Sequence, residues 1–383
     1  MTKQGWLSLM TTGVLFAVGC GSKELEEAQA RPVIERYASL VHENYADSLF
    51  QAQALKAAVD AFVAQPSEAR FTAAREAWLA SRASYGQSEV FRFYGGPIDD
   101  EDTGPEGRIN AWPLDESYID GVEGNAIAGL VNGSEVLTKD LIIEANERDG
   151  ETNIASGYHA IEFLLWGQDL SETGPGNRQY TDFVDEGTAP NADRRRQYLS
   201  LVTDLLVDDL ESVYSQWTAD QDNYRAKFVA ETPKEAVLKI LTGMGSLSGA
   251  ELAGERMTVA YDNKDQEDEH SCFSDNTHND IYYNALGIQN VYLGRYGATG
   301  LEGPALEDLV EAVDPKLNEK MKQRLQASLD AIRAIPAPFD QAILGADDSP
   351  GRQKVKAAIT ALRAQTDTLV EVATALGIQL NLE

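Results

Sequence analysis

The stretch from Ser156 to Gly167 constrains this chain more than any other. Ala160 to Trp166 is apolar at every position except Glu162. It has no strand alternation and ends at Gly167, so the pattern predicts one buried helix. His159 and Glu162 stand three apart in it, one turn along the same face. A carboxylate inside such a run is costly unless it is paired, hydrogen-bonded or holding a metal.

Two accounts fit that pair. The plain one is a helix–helix hydrogen bond or a buried ion pair. The other is metal ligation, and imidazole plus carboxylate suits iron, zinc or copper better than calcium. The order His-x-x-Glu reverses the Glu-x-x-His of ferritin-like di-iron bundles. The second histidine of a His-Glu-x-x-His zinc helix is missing.

Around this stretch the apolar spacing is helical almost throughout. Residues 33–63 form one amphipathic segment, broken by Pro66-Ser67, and residues 67–93 form a second. Trp78, Arg82, Tyr85 and Glu89 fall on one face of that second segment, placing two charges in line with two aromatics. Either Arg82 and Glu89 pair along the helix, or Glu89 is a further carboxylate ligand facing His159 and Glu162. Residues 94–122 are rich in Gly, Pro and Asp and are expected to form a rim or lid rather than core. Helices are expected over 134–146, 192–217, 234–261, 315–335 and 349–376. Four glycines interrupt 234–261 (Gly243, Gly245, Gly249 and Gly254), which makes sense if backbones or a ligand approach closely there. Residues 62–69 echo residues 228–236, each closing one helix and opening the next, which suits two related bundles side by side. The expected fold class is therefore all-α, with pseudo-symmetric four-helix-bundle-like halves at 32–190 and 191–383.

The chain begins like an exported lipoprotein. Lys3, a short apolar stretch and Ala17-Val18-Gly19-Cys20 resemble a bacterial lipoprotein cleavage box, and the apolar part is too short to span a bilayer. Residues 1–19 are expected to be removed, Cys20 to carry lipid, and residues 20–31 to form an acidic tether. Gly21 after Cys20 leans towards the outer membrane of a bacterial envelope. Cys272 is then the one remaining cysteine, so no intrachain disulfide can form. A net charge of −30 argues against nucleic acid.

The stretch from Glu269 to Asp280 gathers His270 and His278 with hydroxyls and carboxylates just before a helix. Ser274 or Asp275 would serve as its cap, and both histidines would then be surface residues. Cys272 reads as a small buried residue rather than a nucleophile. The neighbouring residues 262–269 lack the central glycine of an EF-hand loop.

Gly157-x-His159-x-x-Glu162 before an apolar run resembles the signature of the imelysin-like family. That family includes insulin-cleaving metallopeptidase-type lipoproteins, iron-regulated surface proteins and periplasmic iron-binding components. Trp78, Arg82, Tyr85, Glu89 and Phe93 fit it, as do Trp112-Pro113, Glu251, Glu255-Arg256 and the run Phe273 to His278. The resemblance covers roughly residues 35–375. It implies two similar bundles with a site in the cleft between them. His159 and Glu162 would be metal ligands and Glu89 the third. Arg82 and Tyr85 would line the cleft from the first bundle, and Arg256, Ser274, Asp275 and His278 from the second.

The expected function is binding of iron, or of zinc or copper, for uptake by a lipid-anchored envelope protein. Its partners would be a metal ion or metal chelate, the membrane through Cys20, and components of an envelope transport system. A metallopeptidase is the alternative, with His270 or His278 completing a zinc set and Glu89 or Glu162 as general base. A non-catalytic binding module is a third.

Overall fold

The computed structural model describes residues 25–171 and 173–382. The expected signal sequence and Cys20 lie outside them. Helix begins at Glu27, inside the segment expected to be a tether.

Eight long or buried helices carry the fold: α1 (Glu27–Ala64), α2 (Glu68–Ser88), α3 (Gly157–Trp166), α4 (Ala192–Trp217), α5 (Pro233–Ser246), α6 (Thr277–Tyr292), α7 (Pro315–Arg333) and α8 (Pro350–Ala375). Among the described residues the one sheet is a hairpin pairing Arg295–Tyr296 with Leu301–Glu302. The all-α expectation holds. No helix among the described residues is long and apolar enough to cross a membrane.

Helices α1 to α4 pack as one group, while α5 to α8 make a second. The groups meet chiefly where α2 lies along α6. The expected division at residue 190 needs correction, because α4 packs on α1 and α3 and belongs with the first group. The main apolar core also crosses the junction, running from Ala30 in α1 through Leu241 in α5 to Leu376 after α8. A smaller core, from Leu252 to Leu362, lies within the second group.

The helix breaks fall where the sequence echo places them. Thr232 accepts from the Glu235 N–H while Glu235 accepts from the Thr232 N–H, a reciprocal cap that starts α5 after Ala230 ends the preceding turn. From Leu247 to Val259 the helix continues with π-type bonding before Ala260–Asn263. A π stretch is a widening found mostly at functional positions, and this one carries Arg256. Gly243 answers the expectation of close backbone approach. A Cβ there would sit 2.3 Å from the Val90 carbonyl oxygen.

One loop expectation and one helix expectation change. The 94–122 segment is not simply a rim, since it buries Ile98, Ile109 and Ile119 as well as Asn110 and Asp120. Asp120 is satisfied inside by Arg178 at 2.6 Å and Arg195 at 2.6 Å. The helix expected over 134–146 shrinks to Lys139–Ala145, capped by Thr138.

Candidate functional site

Every residue of α3 is buried, and its entry is set by a glycine. Gly157 has φ +86°, and a Cβ there would lie 2.5 Å from the Ile109 carbonyl oxygen. Only a residue without a side chain both adopts that backbone and lets α3 start so close to the helical turn ending at Ile109. Two residues later, His159 Nδ1 lies 2.9 Å from Glu162 Oε2. The other oxygen of Glu162 accepts from the backbone N–H of Ser274 at 3.0 Å and from its hydroxyl at 2.6 Å. Ser274 therefore fastens Glu162 and does not cap α6, whose first flanking residue is Asn276, without a side-chain cap bond.

His159 is left with one open atom. Its Nε2 is buried and has no hydrogen-bond partner. Burial, with the nearby His270 and Arg82, holds its pKa well below the usual imidazole range. Burial also pushes Glu162 up to about 8, against the hydrogen bonds from Ser274. Both shifts favour the uncharged forms, so near neutrality the carboxyl O–H of Glu162 donates to Nδ1 and the imidazole proton sits on Nε2. When Glu162 loses its proton, the imidazole proton moves to Nδ1, which donates to the carboxylate, and Nε2 is left with a free lone pair.

A second imidazole stands against the first, with ring centroids 4.7 Å apart and planes 72° apart. This is His270, whose expected place at the surface is a correction to record: it is buried. Its Nδ1 lies 3.0 Å from Asp280 Oδ2, and the hydroxyl of Ser271 donates to the same oxygen at 2.5 Å. Its Nε2 has Asn110 Nδ2 at 3.5 Å. Two histidines are thus each backed by a carboxylate through Nδ1.

Arg82 and Glu89 each pair across the junction and not with one another. Arg82 bonds Asp280 at 3.1 Å and the Asn110 side-chain oxygen at 2.6 Å. The rings of Trp78, Tyr85 and Tyr158 surround its guanidinium at 4.9–5.7 Å. Burial opposes the charge on Asp280, but Arg82 and His270 hold its carboxyl far below the usual range. Glu89 goes to Arg256, and Asn284 donates to its other oxygen at 3.2 Å. Although burial would raise Glu89, Arg256 brings it down to about 2. Glu89 therefore does not turn to His159 and Glu162. Among the described residues no three His, Cys, Asp or Glu side chains converge as a metal cage.

The helix junction explains how these groups come so close. A Cβ on Gly287 would lie 2.4 Å from the Gln87 carbonyl oxygen, and one on Gly86 2.9 Å from Tyr283 Cβ. Asn284 Nδ2 donates to the Gly86 carbonyl at 2.8 Å. Arg82 and Gly86 on α2, with Glu89 in the 3₁₀ turn that follows it, face Asp280, Asn284 and Gly287 on α6 with matching four-then-three steps.

Of the other expected cleft residues, Tyr85 is buried with its hydroxyl unpartnered. Asp275 is half-buried at φ +55°. Its carboxyl is pushed up to about 7 by burial and by Asp340 and Asp169. His278 sits half-buried on the first turn of α6 with Nδ1 unpartnered. Sequence reasoning did not single out Asn110, Ser271, Asp280 or Asn284. The signal for the last two was the α6 spacing that mirrors Arg82, Gly86 and Glu89. An open cavity of about 590 Å³ lies beyond the far end of α3, lined by Trp166, Gln168, Asp169 and Arg178 among others.

Comparison with known proteins agrees with this architecture. Iron-regulated protein A of Synechococcus elongatus is 26% identical over 325 residues, covering 82% of this chain and 77% of the relative. A crystal structure from Parabacteroides distasonis, described as an iron-regulated protein A precursor, superposes with a TM-score of 0.71 at 23% identity. It spans 92% of this chain and 96% of that one, and so shares the fold. The family model for imelysin, peptidase family M75, matches residues 41–369, which hold α3, the α2–α6 junction and both carboxylate-backed histidines; the chain belongs to the imelysin family.

Proposed function

We propose that this is a lipid-anchored protein of the bacterial envelope that takes up iron, or a chelated metal, at His159. The reading is supported chiefly by one atom. A buried imidazole nitrogen without a partner, its ring fixed from behind by a carboxylate, is the arrangement of a metal-facing histidine with its orienting neighbour. Glu162 then acts behind His159 rather than beside it, and Ser274 holds Glu162. Names of relatives that speak of iron regulation support the choice of iron. Lipid attachment at Cys20 rests on the cleavage-box pattern.

Elemental analysis tests the reading. The purified mature chain is expected to retain iron, and His159→Ala to abolish retention while circular dichroism shows an unchanged helical signal. Equal metal content in wild type and His159→Ala sinks it. A carboxylate-backed imidazole is also a general base, so chelator-sensitive peptide cleavage surviving repurification would favour a hydrolytic role at the same residues.

A further inference from the structure

We propose that His270 is the second metal-facing imidazole of this site, giving a two-histidine centre shared by the two helix groups, with Asp280 its positioning residue. The inference deepens the reading of His159 above and rests on it.

Three observations carry it. The rings of His159 and His270 lie 4.7 Å apart, a spacing at which one ion of ordinary metal–nitrogen bond length reaches both after small ring rotations. Each ring is tied through Nδ1, His159 to Glu162 and His270 to Asp280. That leaves Nε2 as the outward atom on both. His159 Nε2 has no partner, and His270 Nε2 has only the long contact to Asn110, which a cation would displace at little cost. Asp280 is secured by Arg82, Ser271 and Asn276 and fixes the His270 ring through Nδ1. Glu162 is likewise fastened by Ser274 and fixes the His159 ring through Nδ1.

The positive charges near the rings do not forbid a cation, because Arg82 is matched by Asp280 and Arg256 by Glu89. The donor set of two imidazoles with open positions left over suits a first-row ion that brings its own oxygen ligands, as water or a small chelator.

Pulsed electron paramagnetic resonance of the full mature chain loaded with Cu²⁺ alone tests this without any substitution, since coupled remote imidazole nitrogens are counted directly. Two imidazoles are expected. His270→Gln is expected to weaken Cu²⁺ and Fe²⁺ binding at least about tenfold and to leave one imidazole in the spectrum. A wild-type spectrum with a single imidazole, lost in His159→Ala, overturns the role of His270 and leaves the His159 reading standing. Two imidazoles persisting in His270→Gln overturns it as well. No specific bound Cu²⁺ or Fe²⁺ overturns both.

Discussion

Arg82 of α2 and Asp280 of α6 meet at 3.1 Å with both side chains fully buried, and this pair joins the two helix groups at the point where the histidines face each other. Asp280 also holds His270, so structure and site share one carboxylate. Removing one member of such a pair leaves a buried charge alone. Arg82→Met is expected to cost about 3–5 kcal/mol. The double variant Arg82→Met with Asp280→Leu is expected to recover part of that loss. Urea unfolding followed by circular dichroism measures both, and a single variant within about 1 kcal/mol of wild type would show the pair to be solvated.

The glycine contact between α2 and α6 sets a second expectation. Gly287→Ala places a methyl 2.4 Å from the Gln87 carbonyl oxygen, which cannot move aside as a side-chain tip can. A loss of about 1–3 kcal/mol is expected, or a shifted helix pair. Gly254→Ala, whose Cβ would meet nothing nearer than 3.5 Å, is the control and is expected to be neutral or mildly stabilising. Equal melting temperatures for the two variants would remove the close-approach account.

Acid and base act on the site with opposite signs. Glu162 keeps its proton up to about 8, whereas in the unfolded chain it loses it near 4.5. Between those values the folded state holds the extra proton, so this group's contribution falls as pH rises through the window. Asp275, at about 7, and Asp169, at about 6, have the same sign. Glu89, at about 2, has the opposite one: its contribution is complete above 4.5 and fades as pH falls towards 2. His159 and His270, held low by burial, act the other way below about 6.5, so the melting temperature is expected to decline from about pH 6.5 to pH 8, and Glu162→Gln to flatten that decline. A melting temperature that rises across this window in wild type contradicts the assignment.

Ser274→Ala removes the hydroxyl that donates to Glu162 at 2.6 Å and keeps the backbone donor. A stability loss of about 1–3 kcal/mol is expected. Glu162 is expected to titrate higher still, visible as a carboxyl band persisting to higher pH in infrared difference spectra. An unchanged titration would mean that the hydroxyl does not act on the carboxylate.

Much of this was legible in the sequence, for identifiable reasons. Helices α1, α2, α4, α7 and α8 announce themselves through apolar spacing between proline or glycine stops. His159, Glu162, Arg82 and Glu89 stand out because each is a polar group inside an otherwise apolar pattern. His270 and Asp280 gave no such signal. Their chain neighbours are polar, and the groups that bury them come from α2 and α3, far away along the sequence. Asp280 drew attention only as a member of a polar run. The partners of Arg82 and Glu89 were misjudged for the same reason: spacing along one helix ranks neighbours on that helix and is silent about the helix opposite. The grouping of α4 with α1 and α3 likewise depends on a return of the chain that no local pattern records.

Because α2 and α6 touch through Gly86 and Gly287, the gap between the two halves is fixed by main-chain atoms and not by adjustable side chains. The halves cannot be drawn further together, and a single added methyl at either glycine would drive them apart. The helix spacing beside the two imidazoles is thus written in two absences, at positions other than those that hold the rings.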